Sequence, residues 1–199
     1  KGRSSISFQY KHHAGQDTRI DPSVSNIVDV YLLERTYDNL YRIWLQDGGS
    51  RPTVSTADQL RINYSGTLNP LKSMSDQIIY HPVKYKILFG SNADEQLQAT
   101  FKVVKNPKTN VSDAVIKTRV IAAINEFFAL DNWDFGDSFY FTELAAYIHN
   151  QLAPDLLTAV IVPNQSGQGF GSLFQLDSAA DEIFISGATV DDVSIITAL

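Results

Sequence analysis

The sequence contains no cysteine. That excludes disulfide scaffolds, thiolate nucleophiles and cysteine-ligated zinc or iron–sulfur centres, and it leaves the compartment open. Basic residues are also missing from a long stretch. Residues 120–199 hold 11 acidic groups and no Lys or Arg, a formal net of −11, whereas residues 1–119 hold 16 basic and 11 acidic groups, a net of +5. The acidic stretch has no base of its own to pair with. Its carboxylates must face water, the basic first part or a basic partner. Phosphate contacts need Lys or Arg, so this part is excluded as a nucleic-acid surface. Two readings of the acidity stay open: a solvated face that maintains solubility, or an electrostatic contact surface. No run approaches about 18 apolar residues, so no transmembrane helix and no membrane role are expected. The chain opens on Lys1 without a basic, apolar leader, and reads as a cut from a longer protein.

Motifs that carry chemistry are equally scarce. The four histidines are His12, His13, His81 and His149. The first two are adjacent, so they point opposite ways in extended chain, and His149 lies six residues from Glu143, which is not a metal spacing. Asp131, Asp134 and Asp137 stand three apart, but a calcium loop needs about five or six oxygen ligands and a closing Glu. A helix-entry loop with capping carboxylates, anchored in the core by Trp133 and Phe135, is the better reading. Gly167, Gly169 and Gly171 mimic a nucleotide loop, yet neither a long helix nor a basic residue follows. That run reads as a surface loop, or one ordered by a neighbouring subunit. No GxSxG elbow occurs, and the acid pairs Asp181/Glu182 and Asp191/Asp192 read as solvated. The expectation is a non-enzymatic chain with no metal, cofactor or small-molecule substrate.

What is present is a core. The 199 residues, 44% of them hydrophobic, suffice for one sizeable core or two small ones. Weak alternation over residues 4–12 and the run NIVDVYLL suggest strands. Thr36 is placed to cap a helix over 37–46, stopped by Asp47-Gly48-Gly49. Short helices and loop are expected over 50–80. Val83, Tyr85, Ile87 and Phe89, then Leu97, Ala99, Phe101 and Val103, predict two strands paired antiparallel. Asn110 is expected to cap a helix to about residue 128, with Val111, Val115, Val120, Ile124 and Phe127 or Phe128 as its apolar stripe, widened by Ile116 and Ile121. A second helix over 142–152 ends before Pro154. A very apolar strand, Leu156–Val162, follows, then short strands near Leu176, Ile183–Ile185 and Val193–Ile196. The fold class is α+β: small mixed or antiparallel sheets with two main helices packed on them. The expected division is 1–80, mixed strands and short helices, and 81–199, an α+β domain.

From Pro82 onward the succession KYKILFG, a strand ending VVKNP, the helix VSDAVIKTRVIAAINEFF, the segment WDFGDSFYFTELAAYIHNQL and the strand LLTAVIVP resembles the C-terminal region of baseplate wedge proteins of contractile-tailed bacteriophages, the baseplate J-like group. Phe135-Gly136-Asp137 takes the place of the turn before the second helix. The glycine usual in the following strand is absent from Leu156–Val162. The resemblance implies a structural virion protein, assembled in the host cytoplasm, without catalytic residues. It also implies pairing with itself as a dimer, closure into a ring of the inner baseplate, and attachment of other baseplate wedge proteins. The candidate interface residues are Ile116 and Ile121 on the long helix, Trp133, Phe135 and Phe139 after it, and Gly167, Gly169 and Phe170 in the glycine-rich loop. The alternative is a non-enzymatic protein- or glycan-binding module of a larger extracellular or virion protein. An exposed aromatic cleft would favour that module, and a broad flat apolar patch would favour assembly.

Overall fold

Long-range pairing, rather than hairpins, organises the chain. The computed structural model describes residues 27–68, 77–165 and 175–197. Strand β1 (Ile27–Leu32) runs parallel to β2 (Gln77–Pro82), and β3 (Lys84–Leu88) runs parallel to β8 (Glu182–Ser186). Strand β4 (Ala99–Lys105) is the centre of a three-stranded sheet, antiparallel to β6 (Leu156–Pro163) and parallel to β9 (Val193–Thr197). Strand β5 (Ser138–Tyr140) pairs antiparallel with β7 (Gln175–Asp177). The helices are α1 (Arg35–Asp47), α2 (Ala57–Leu68), α3 (Asp113–Phe127) and α4 (Phe141–Leu152). The fold is α+β, with several short sheets and four helices among the described residues.

Several local expectations need correction. β3 and β4 do not form an antiparallel pair: β3 pairs with β8, and β4 with β6 and β9. Alternation fixes which face of a strand is buried, not which strand lies beside it. The Phe89 N–H donates to the Leu97 carbonyl at 3.0 Å, just beyond the two strands. Ser112, not Asn110, caps α3, its Oγ accepting from the Val115 N–H, and Asp113 in the first turn meets Lys105 Nζ at 2.8 Å. Thr36 lies inside α1 rather than capping it. Glu34 stands at the cap position, with its carboxylate accepting from the Ser55 and Tyr64 hydroxyls. Residues 50–80 contain a full helix, α2, which runs through Gly66. The strand suggested over 4–12 and most of the glycine-rich loop, with Gly167, Gly169 and Phe170, lie outside the described residues.

The main core joins both parts of the chain. Tyr37 and Tyr41 of α1 share it with Tyr85, Phe101, Ile116, Ile124, Phe139, Leu144 and Phe184, while Leu60, Leu68 and Tyr80 form a smaller cluster. Phe89 sits at the hub of the main cluster. Its ring meets those of Phe101, Phe128, Phe139 and Phe141 at centroid distances of 4.9 to 6.2 Å, edge to face. Such pairs add about 0.5–1.5 kcal/mol each beyond the buried area. To reach that position the backbone leaves β3 through a left-handed kink, with φ +65° at Phe89 and +70° at Gly90. Gly90 there lies against Gly187: a Cβ at Gly90 would stand 1.9 Å from the Gly187 carbonyl oxygen. The Gly187 N–H donates to the Leu88 carbonyl at 2.8 Å, which clamps the crossing.

Gly90→Ala is therefore expected to cost about 3 kcal/mol or more, because positive φ and a backbone clash coincide. Gly66→Ala, whose Cβ meets nothing within 4 Å, is expected to stabilise by about 0.5–1 kcal/mol. Chemical denaturation of the two variants checks both signs.

Candidate functional site

Among the described residues, helices pack on one face of the sheet β6–β4–β9. Phe101, Val103 and Val193 point into the core with Ile161, under α3 and α4. The register puts the opposite set on one plane: Thr158, Val160 and Val162 from β6, Thr100, Lys102 and Val104 from β4, and Ser194 and Ile196 from β9. On this outer face Val160 is 50% and Ile196 42% exposed, and the Lys102 side chain is solvent-facing. β6 is thus apolar on both sides while helices pack on one. A strand with apolar residues on successive positions is normally covered on both faces.

A second feature is a groove of about 430 Å³ between the end of α3 and the start of α4. Its aromatic lining is Phe127, Trp133 and Tyr147, and its polar lining is Asn132, Asp137, Ser138 and Glu143. The rings touch in series, Trp133 to Phe127 at 5.6 Å and Phe127 to Tyr147 at 5.4 Å, and all three are only half-buried. The Trp133 indole N–H donates to the Phe127 carbonyl at 2.8 Å, and its ring stacks on Phe128 at 5.4 Å, which holds it rigidly at the edge of the core. Asp137 Oδ2 accepts from the Asp134 N–H at 2.7 Å, and Gly136 turns the chain between them at φ +78°. Ser138 donates to Asp177 at 2.5 Å and, with Gln175, holds that carboxyl below its usual range. Glu143, in the first turn of α4, is exposed and makes no ion pair among the described residues. The Tyr147 hydroxyl lies beside Glu126, and burial first, then that carboxylate, raises its pKa.

The most perturbed titratable groups lie elsewhere, under α1. Tyr85 donates to Asp38 Oδ1 at 2.5 Å, and Arg42 Nε meets the same oxygen at 2.6 Å. Burial raises the Tyr37, Tyr41 and Tyr85 hydroxyls, Tyr41 to about 12. The Tyr41 hydroxyl is buried with no hydrogen-bond partner among the described residues. Arg51 lies 5.7 Å from the Tyr41 ring and 5.6 Å from that of Trp44. This cluster holds α1 to β3. Its hydroxyls face one another and the Asp38–Arg42 pair. Tyr85 of this cluster and Arg51 also line a second pocket of about 240 Å³, with Lys84, Lys86, Asp94 and Glu182.

The expected interface residues separate. Ile116 and Phe139 are fully buried within the subunit and have no side-chain surface for a partner. Ile116, taken as widening the stripe of α3, is its centre, and Val115 is the exposed residue at 43%. Ile121, Trp133 and Phe135 are half-buried against the core. Of the described members of the set, Trp133 lines the groove. The sequence reading missed Val160, Val104 and Ile196, although the unbroken apolar run of β6 already signalled a strand with two faces to cover. It also missed Tyr147 and Glu143, which α4 brings to the groove at i, i+4 spacing. The three aspartates do not converge: among the described residues no group of three or more His, Asp or Glu is placed to hold a metal ion. No described helix is long and apolar enough to cross a membrane. No family model matches the chain, and no curated protein matches it.

The tyrosine cluster sets an alkaline limit. Unfolded phenols titrate near pH 10, and the native values are higher, so the native state retains protons that the unfolded chain has lost. Stability is fully present below about pH 10 and declines above it. Tyr41→Phe is expected to make that decline shallower. At neutral pH it should leave the protein as stable or more stable, by up to about 1 kcal/mol, because it removes an unpaired buried hydroxyl. Urea denaturation from pH 7 to pH 11.5 (on the order of ten points) reads both effects.

Proposed function

We propose that the protein is a non-enzymatic assembly component that associates with further copies of itself through the outer face of β6–β4–β9. The observation that carries this reading is the mismatch on β6. Leu156 and Ile161 are buried beneath the helices, while Val160 on the other side is 50% exposed. Each apolar side chain covered by a neighbouring copy gains about 25 cal/mol per Å² of area removed from water. Lys102 stands in the middle of this face on the central strand. The surface with charge to meet it is the acidic part of another copy, since residues 120–199 carry 11 carboxylates and no base. Such a contact is heterologous, and heterologous contacts close into rings when the rotation permits.

The resemblance to phage baseplate wedge proteins gives this reading a setting. It would be a virion component, assembled in the host cytoplasm, that dimerises, contributes to a tail baseplate ring and carries other wedge proteins. The alternative, a protein- or glycan-binding module, is favoured by the aromatic groove beside α4.

Light scattering after size exclusion tests the assembly reading. The mass is expected to rise above the 22.1 kDa of one chain as concentration increases, and to fall back with added salt. Val160→Glu is expected to hold the protein at one chain without loss of thermal stability, since the side chain is half-exposed. A wild-type mass of one chain at every concentration would contradict the reading.

A further inference from the structure

The pocket that Tyr85 and Arg51 share lies along one edge of β3. It encloses about 240 Å³, and Lys84, Tyr85, Lys86 and Ile87 line it in succession. Alternate residues of β3 turn their backbone groups to β8: the Lys84 N–H donates to the Asp181 carbonyl at 3.0 Å, and the Leu88 carbonyl accepts from the Gly187 N–H at 2.8 Å. The residues between them turn the other way. Val83 donates to the Leu32 carbonyl at 2.9 Å and Phe89 to the Leu97 carbonyl at 3.0 Å. On that same edge the Tyr85 N–H meets the Tyr37 hydroxyl. The Ile87 N–H comes next, at a residue that is itself pocket wall.

Basic groups surround this amide. Arg51, Lys84 and Lys86 line the pocket, against the carboxylates of Asp94 and Glu182. Arg51 lies over the rings of Tyr41 and Trp44. A guanidinium stacked on a ring keeps its N–H edge for a planar oxyanion. Lys84 and Lys86 stand 3.5 and 3.8 Å from Glu182, beyond the length of a close charge-assisted bond, about 2.7–2.9 Å. Both ammoniums therefore attract Glu182 while keeping donors for another acceptor. A cation entering here would meet three positive groups.

We propose that this pocket binds a single oxyanion, the carboxylate or phosphate group of a small molecule, against the Ile87 amide and the Arg51 guanidinium, with Lys84 and Lys86 at its rim. The volume is below the roughly 300–1,000 Å³ of sites for drug-sized ligands, which suits a small acid. The site is separate from the outer face of β6–β4–β9, and it stands whether or not the chain associates with itself.

Nitrogen–proton correlation spectra test it, with inorganic phosphate and acetate as probes and sodium chloride holding the ionic strength at about 150 mM. Either probe is expected to shift the Ile87 amide and the Arg51 Nε–H saturably, with Kd on the order of 1–10 mM. The Trp133 indole signal, in the other groove, should stay still. Arg51→Gln and Lys84→Gln should each weaken binding by about threefold or more. Both side chains are exposed, so the variants are expected to keep the spectrum of the folded protein. A response to phosphate alone identifies a phosphate group as the ligand, and a response to acetate alone a carboxylate. No saturable shift with either probe would overturn the proposal, as would an equal shift with chloride or an unchanged Kd in either variant.

Discussion

The crossing of Leu88–Gly90 over Gly187 is the constraint on which the rest of the structure depends. β3 and β8 are 98 residues apart at Lys84 and Glu182, and their parallel pairing closes the longest loop among the described strand pairs. At the end of that pairing the chain must turn out of the sheet, and only a residue without a side chain can stand at Gly90, with the Gly187 carbonyl in the place a Cβ would occupy. The turn delivers Phe89 into the middle of rings from β4, α3, β5 and α4. One kink thus couples β3 to β4 of the open sheet and to the end of α3, β5 and α4. Closing a long loop costs chain entropy that grows slowly with its length, and the aromatic cluster is the contact large enough to offset it.

Charge follows the same long-range logic. The acidic C-terminal stretch meets the basic first part at Lys84 with Asp181 and Glu182, at Lys86 with Glu182, and at Arg119 with Asp155. These pairs are partly exposed, at 3.0 to 3.8 Å, and each contributes about 0–1 kcal/mol. Those on Lys84 and Lys86 orient β8 beside β3 more than they hold it. Glu143 remains outside this pairing, and Lys102 has no salt bridge among the described residues. These two charges stand at the groove and on the outer sheet face.

Much of the local structure was legible in the residues. Branched runs marked β1, β6 and β8, and the stop signals at Gly48 and Pro154 bounded α1 and α4. Partners were not legible, because a strand's alternation is satisfied by any neighbour of the right polarity. That is why β3 and β4 were paired with each other instead of with β8, β6 and β9. Ile116 was read as the margin of α3 because a stripe's centre depends on the angle at which the helix meets its sheet, which periodicity alone does not give. The core role of Trp133 was visible from its turn context, whereas its place in a groove required Tyr147 and Glu143 from another helix. The acidic imbalance was visible by counting, but which carboxylates found a base was decided by the fold, with β3 beside β8 for Asp181 and Glu182 and α3 beside the turn before β6 for Asp155.

The central claim is that the outer face of β6–β4–β9 is a contact surface between copies. Methyl resonances of Val104, Val160 and Ile196, broadened by a soluble paramagnetic agent at low and high protein concentration, test it directly. The account predicts strong broadening of these methyls when dilute and protection when concentrated, with the core methyls of Val103 and Val193 shielded throughout. Equal broadening of the outer methyls at every concentration would contradict it.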